Sequence, residues 1–542
     1  MEKPKAKSYY HALSNYKMHL QDILQQLKET NLLKTQSRPY INHSVEFKKT
    51  ISREERTKVL QEVGWNVFFC PSEIVTGCDM LSDSGTSTMT NQQWAVMHEG
   101  DEAYGSNRGF FLLMNQINKT FGEGFFNNPG LNKVNAFIFH QGRPCEDALF
   151  SVMGHLATNQ IIPSNGHFDT TEANIEANDI KAVNLFSGEL KNDQSNSKFK
   201  GNMNTERLKK LLEESADKIP LVYLTITNNT GGGQPVSLAN IREVSELAHR
   251  YDIPFFLDAC RFAENAWFIK EYEEGQGSKS IEDIVKEMFL YADGFTISFK
   301  KDGLANMGGG LFLKEGGLFI KKYPQVPDAL INYQIIKEAN PSYGGMSGRD
   351  IMTLVKGLET IVKKEYLDHR IKQVQNFGNS MKAEGLPVLT PTGGHAVYMD
   401  MNKFFADTNL KPSDFGGVSF TGLLLAAYGH RACELGNFAF GSYNAQSGQE
   451  KFPEVNFVRF AIPRLRYEEQ DLQSVVEACK ELYQIRDKIP GVEVIHGKEL
   501  SLRHFKARFQ FKYKNPLQER LAHSDEIAPA KQSSEEILKV KV

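Results

Sequence analysis

The chain has no long apolar run. The longest, around Leu423 to Tyr428, falls far short of the ~20 residues that a membrane-spanning helix needs, so no transmembrane segment is expected. Cysteine is scarce too. Cys70, Cys78, Cys145, Cys260, Cys433 and Cys479 show no CxxC spacing, which argues against a zinc ribbon or a dense disulfide frame and suits the reduced thiols of a cytoplasmic protein. An excess of one charge is also missing: 63 Lys and Arg stand against 66 Asp and Glu, a net charge of −3, so nothing points to a nucleic-acid or membrane surface. The opening MEKPKAKSYY carries charge without an apolar core and is not expected to be a secretory signal. No internal repeat stands out.

At 542 residues the chain is too long for one core, and at least two domains are expected. Residues 1–45 are polar with apolar residues at helical spacing (HALSNYKMHLQDILQQLKE) and read as an arm that docks elsewhere, for example on another subunit. Residues 46–90 are assigned to the small domain and the subunit interface. From 91 to 345 apolar strands alternate with helices: KVNAFIFHQG, LVYLTITNN, IPFFLDA and GFTIS are strands, and SLANIREVSELAHRYD is a helix. That alternation predicts an α/β domain with a mostly parallel sheet. Residues 346–514 change pattern. IMTLVKGLETIVKKEYLDHRIKQVQNF reads as one long helix, and GHAVYMDM and VNFVRFAIPR as strands of a smaller α+β domain. Residues 515–542 are polar and expected to be disordered.

In open α/β sheets ligands sit at the carboxyl ends of the strands, and polar residues gather there. After AFIFH come Gln141, Gly142 and Arg143, opening a helix whose free N–H groups suit a phosphate. After LTIT come Asn228, Asn229 and a glycine run; IPFFL ends in Asp258 with Arg261 close behind; GFTI ends in Ser298, Lys300 and Lys301. Singly each has a plainer reading: a helix cap, a turn, a surface charge. Together they supply what pyridoxal 5′-phosphate (PLP) needs, namely an amine for its aldehyde, a carboxylate for its ring nitrogen and a phosphate cradle. They also explain two adjacent lysines at a strand end. One forms the Schiff base, and its neighbour, pointing the other way on extended chain, pairs with the phosphate.

HQGR (140–143), FDTT (168–171), GGQPVSLAN (232–240), LDACRFAENAWFIK (257–270), SFKKD (298–302) and RHF (503–505) resemble the tryptophanase and tyrosine phenol-lyase family of β-eliminating lyases, over roughly residues 40–512. The resemblance implies the fold-type I PLP architecture and a homotetramer, a pair of dimers with active sites between subunits. It makes Lys301 the Schiff-base lysine. Gln141, Gly142, Arg143, Ser298 and Lys300 would hold the phosphate, Phe168 would stack on the ring, Asp258 would pair with the ring nitrogen, and Asn229 and Arg261 would lie near the ring oxygen. Arg459, with Asn229, would bind the substrate carboxylate. Tyr104 would reach a neighbouring active site to help protonate the leaving group. Gly85, Glu102 and Asn306 would bind an activating potassium ion.

Asp169 after the stacking Phe and His504 in RHF resemble the tryptophanase branch, and RACELG (431–436) is apolar around Cys433 and Leu435, in the segment where the phenol-lyases use an arginine to bind the phenol. These three positions imply L-tryptophan as substrate and indole, pyruvate and ammonia as products, with Asp169 and His504 contacting the indole. The chain departs from the family pattern at Phe299, at Pro144-Cys145 and in the extra glycine of GGGLF. Elimination from tyrosine, cysteine or an S-alkylcysteine, an aminotransferase, and a non-catalytic interaction protein are the alternatives.

Overall fold

A computed structural model describes residue 25 and residues 38–42, 44–125, 135–191, 195–453 and 455–512. Apart from Gln25, the helix expected in the N-terminal arm lies outside the described residues, as does the polar tail. The chain forms two compact units, Met1–Val45 and Glu46–Val542; the second holds everything described below.

Seven strands build the main sheet: β1 (Ala136–Phe139), β2 (Ile161–Ser164), β3 (Lys181–Asn184), β4 (Val222–Thr225), β5 (Phe255–Asp258), β6 (Gly294–Ser298) and β7 (Gly309–Leu313), in the spatial order β1-β7-β6-β5-β4-β2-β3. Pairing is parallel from β6 through to β3, and β7 runs antiparallel to both of its neighbours, β1 and β6. The sheet is therefore mostly parallel, as its apolar strands predict. Strands β1, β4, β5, β6 and β7 are buried at every residue, which is why their sequences are apolar without alternation.

Successive side chains serve opposite faces. Ala136, Ile138, Val222, Leu224, Phe255 and Leu257 enter one core, while Phe137, Phe139, Tyr223 and Phe256 enter the other, against Ala148 and Leu149 of the helix Gly142–Gly154. Register sets the carboxyl ends of three strands side by side: Thr225 pairs with Asp258, and Asp258 with Thr296.

A second, antiparallel sheet has the order β8-β12-β9, from β8 (Ala396–Asp400), β9 (Cys433–Leu435) and β12 (Phe457–Ala461); the short hairpin β10 (Ser442–Asn444) and β11 (Gln449–Lys451) lies between β9 and β12 in sequence. Strands β13 (Val492–His496) and β14 (Arg508–Phe511) pair with each other. Ile51, Val59, Leu60, Ile74 and Met80 join the core beneath β8 and β12.

The single long helix expected from IMTLV…QNF is two, Gly348–Ile361 and Lys364–Ala383, broken where Lys363 takes an extended conformation. Two different cores explain the break. Ile351, Leu354, Leu358 and Ile361 pack under the seven-stranded sheet, while Val374, Phe377 and Met381 pack under the three-stranded one. A straight helix with one stripe cannot serve both.

Candidate active site

A cavity of about 280 Å³ opens at the carboxyl ends of β4, β5 and β6, and thirteen of the residues singled out in the sequence line it. Its floor is Asp258, whose Oδ1 is buried without a hydrogen-bond partner. Burial pushes the Asp258 carboxyl above its ordinary pKa, against the opposing effects of Cys260, Lys301 and Arg261. Lys300 and Lys301 enter from the turn after β6, and Ser298 stands at the strand end itself. Burial, then the charges of Lys301 and Arg143, pull the Lys300 ammonium down from its ordinary value. That crowding of positive charge suits an anion.

Opposite Ser298, Gln141 caps and Gly142 starts the helix Gly142–Gly154, with no side chain satisfying its first N–H groups. A Cβ on Gly142 would lie 2.7 Å from the Ser298 Cβ, so only glycine lets helix and strand end approach this closely. Arg143 is exposed at the rim, its guanidinium 5.8 Å from the centre of the Phe505 ring. Phe168, extended, precedes the helix Asp169–Glu176 and lines the cavity.

On the other wall, Asn229 Oδ1 accepts from Tyr398 Oη (2.6 Å) and Arg459 Nη1 (3.4 Å). Arg459 is buried; its Nη2 donates to the Leu81 carbonyl at 3.0 Å, its Nε has no partner, and it makes no ion pair among the described residues. An arginine so placed suits a ligand carboxylate. Arg261 is already paired, gripping Asp83 at 2.8 and 3.2 Å.

Elsewhere in the lining, His504 Nε2 stands 3.1 Å from Asp169 Oδ2, with both side chains buried. Phe68, Leu81, Cys433, Leu435 and Phe505 line the same cavity, the Phe68 and Phe505 rings lie 5.7 and 4.1 Å from the imidazole, and His504 Nδ1 has no partner.

The beta-eliminating lyase family model matches residues 79–478. The chain belongs to this family. It is 40% identical to a tryptophanase of Rhodobacter capsulatus over 478 residues, covering 88% of this chain and 100% of the relative. It is 38% identical to a tyrosine phenol-lyase of Clostridium tetani over 482 residues, covering 89% and 99%. A probable beta-eliminating lyase of Trichomonas vaginalis is 38% identical over 460 residues, covering 85% and 95%. The chain is thus a PLP-dependent lyase of fold-type I. The residues present fit that cofactor: an orphaned carboxylate oxygen at the floor, a glycine-lined helix N-terminus and two lysines with an arginine beside it.

Four sequence candidates of this lyase lie outside the cavity lining. Tyr104 is 77% exposed, its ring 5.9 Å from that of Tyr343. Glu102 accepts from Arg349 Nε (2.6 Å) and the Gly348 N–H (3.3 Å). Asn306 donates from Nδ2 to the Gly85 carbonyl (2.9 Å), and the Gly85 N–H donates to the Lys300 carbonyl (2.8 Å). Gly85 and Asn306 thus meet beside the lysine turn, whereas Glu102 is held by the helix Gly348–Ile361. No cluster of three or more His, Cys, Asp or Glu fit for a metal occurs among the described residues.

Sequence reasoning missed several groups. Glu146, one turn into the phosphate-side helix, lines the cavity and accepts from Thr171 Oγ1 (2.8 Å) and Asn174 Nδ2 (3.3 Å). Arg464 donates to Asp83 (3.0 Å), Glu264 (2.8 Å) and Asp302 (2.8 Å), and Arg370 donates to Glu264 at 3.1 Å. With Arg261 this makes three buried arginines against three buried carboxylates. Asp302 also accepts from the Ala263 and Glu264 N–H groups, tying the residue after Lys301 to the start of the helix Phe262–Tyr272. The adjacency of Lys301 and Asp302 was the one available signal.

Proposed function

We propose that this lyase cleaves L-tryptophan by β-elimination to indole, pyruvate and ammonia. The observation that carries this reading is the buried His504–Asp169 pair, which lines the cavity together with apolar side chains. PLP supplies an aldehyde that captures the substrate amine and a ring that withdraws electrons from Cα.

The chain's own residues would do the rest. Lys301 would hold the cofactor through its aldehyde, and the Lys301 amine would take the Cα proton as general base. Asp258 keeps the ring nitrogen protonated. The Gln141–Arg143 turn, Ser298 and Lys300 bind the phosphate, and Phe168 covers the ring. Arg459, with Asn229, holds the substrate carboxylate. His504 and Asp169 orient the indole and pass a proton to its ring carbon, which makes it a leaving group.

Tyr104 joins this proton transfer from a neighbouring subunit of a cytoplasmic homotetramer. Its exposure, and that of Trp94 and Phe111, leaves large apolar side chains in this segment that a subunit contact would cover. A potassium ion between Gly85, Asn306 and Glu102 belongs to the same proposal and requires Glu102 to exchange Arg349 for the cation.

The protein with PLP and potassium is given L-tryptophan, and indole and pyruvate are assayed; equal amounts are expected. Asp169→Thr and His504→Phe should depress cleavage of tryptophan about tenfold or more beyond any loss on an S-alkylcysteine, whose thiolate leaves without ring protonation. Equal losses on both substrates would remove the pair from indole recognition. Pyruvate from L-tyrosine but not from L-tryptophan would instead make the chain a phenol-lyase.

A further inference from the structure

The three-stranded sheet lays three side chains in one row. Tyr398 on β8 faces Arg459 on β12, which faces Cys433 on β9. Arg459 and Cys433 line the cavity; Tyr398 does not, and it is 2% exposed. Its phenol reaches across to the loop after β4, where it lies 2.6 Å from Asn229 Oδ1 and 3.1 Å from the Asn229 carbonyl. His395 Nε2 approaches the same amide oxygen at 3.2 Å, and Arg459 Nη1 at 3.4 Å.

A guanidinium only donates, so the amide atom that faces it is the oxygen. That choice turns the Asn229 NH₂ the other way. No protein group accepts from it among the described residues, and Asn229 lines the cavity. Burial pushes the Tyr398 phenol up to about 12, so it stays a donor across the working pH range. Burial, then the Arg261 charge, hold His395 well below its ordinary pKa, so the imidazole beside it is neutral.

We propose that Tyr398 is a positioning residue: its hydroxyl locks the Asn229 carboxamide with the oxygen against Arg459 and the NH₂ toward the cavity, giving amino-acid substrates a pre-aligned neutral donor beside the arginine. The inference rests on the roles given above to Asn229 and Arg459, and it is independent of the leaving group. Without the hydroxyl the amide loses its shortest restraint and turns, and Arg459 Nη1 loses a fixed acceptor. Substrate then meets a donor pair that must be ordered on binding.

The test uses the PLP-loaded enzyme and L-alanine, an amino acid with no leaving group, titrated through the visible spectrum of the bound cofactor. Tyr398→Phe keeps the ring and should keep both the thermal midpoint and the cofactor band. It should weaken L-alanine about five- to tenfold, the size of one lost hydrogen bond. In an Asn229→Ala background the same change should cost less than about twofold, because the group through which Tyr398 acts is gone. Equal losses in both backgrounds would overturn the proposal, and so would an unchanged L-alanine affinity in Tyr398→Phe. If Asn229→Ala alone leaves L-alanine binding intact, the role of Asn229 falls and this inference with it. That failure is separate from the choice of indole, which the tryptophan assay decides.

Discussion

Gly142→Ala adds a single methyl group where the proposed phosphate cradle is tightest. The new Cβ would sit 2.7 Å from the Ser298 Cβ, 3.2 Å from its Cα and 3.4 Å from its N. Ordinary carbon contacts begin near 3.4 Å, so helix and strand end must separate by about 3.4 − 2.7 = 0.7 Å. The obstacle is backbone and a short side chain at the end of a fully buried strand, not a flexible tip. A charge-assisted N–H···O bond of ~2.8 Å stretched by that amount reaches ~3.5 Å, beyond useful hydrogen-bond range. Losing one such bond costs roughly 1.5–3 kcal/mol, or about 10- to 150-fold in affinity.

The assay is titration of cofactor-free protein with PLP, with pyridoxal as the phosphate-free comparison. Gly188→Ala serves as control, since its Cβ would meet nothing within 4 Å. PLP should weaken by about 10- to 150-fold in Gly142→Ala, pyridoxal far less, and the control should match the parent. A PLP affinity within about twofold of the parent in folded Gly142→Ala would refute the placing of the phosphate at this helix end.

Lys301→Ala should abolish the absorbance near ~420 nm that marks a lysine-bound cofactor, and an ordinary band in that variant would reassign the lysine. Glu146 gives a pH signature in the cofactor-free protein. Burial, then the Asp258 charge, push its carboxyl up to about 8, against hydrogen bonding from Thr171 and the charge of Lys301. The folded state therefore holds a proton that the unfolded state releases near pH 4.5, so Glu146's contribution is whole below that and is lost as pH rises toward 8. Glu146→Gln keeps the shape without the titration. Urea unfolding should show parent stability falling relative to the variant by up to ~1.4 kcal/mol per pH unit between pH 5.5 and 8. A flat difference would mean that Glu146 is ionised in the folded protein.

The sequence showed what local chemistry writes and hid what distant pairing decides. Strand ends are local: an apolar run stopping at Asp258 or Ser298 marks a sheet edge, so the cavity's charged residues are legible in the sequence. The antiparallel β7 between β1 and β6 is not, because the glycines that open GGGLF signal a turn and hide the strand. The helix break at Val362–Lys363 was hidden because both halves share one helical period and only the identity of the core changes. The buried network escaped for another reason. Asp83 and Arg464 lie hundreds of residues apart, and a buried charge cannot be told from a surface one until its partner is found. Tyr398 looks like any aromatic strand residue; only the facing Asn229 makes its hydroxyl meaningful.

The row Tyr398–Arg459–Cys433 has a consequence for how such an enzyme changes its diet. Neighbouring strands are held ~4.8 Å apart by their backbones, whatever their side chains. On the proposed reading, the middle place of the row serves what every amino acid shares, its carboxylate. One flank leans on the loop that would steady that grip, and the other, Cys433, lines the cavity where the departing group would sit. Cys433 is a direct cross-strand neighbour of Arg459, so a substitution there redraws the space and presses on the arginine together, whereas a substitution at Tyr398, on the other flank, reaches the arginine through Asn229 as well. Selection on appetite therefore also tests the hold, and both meet at the middle strand.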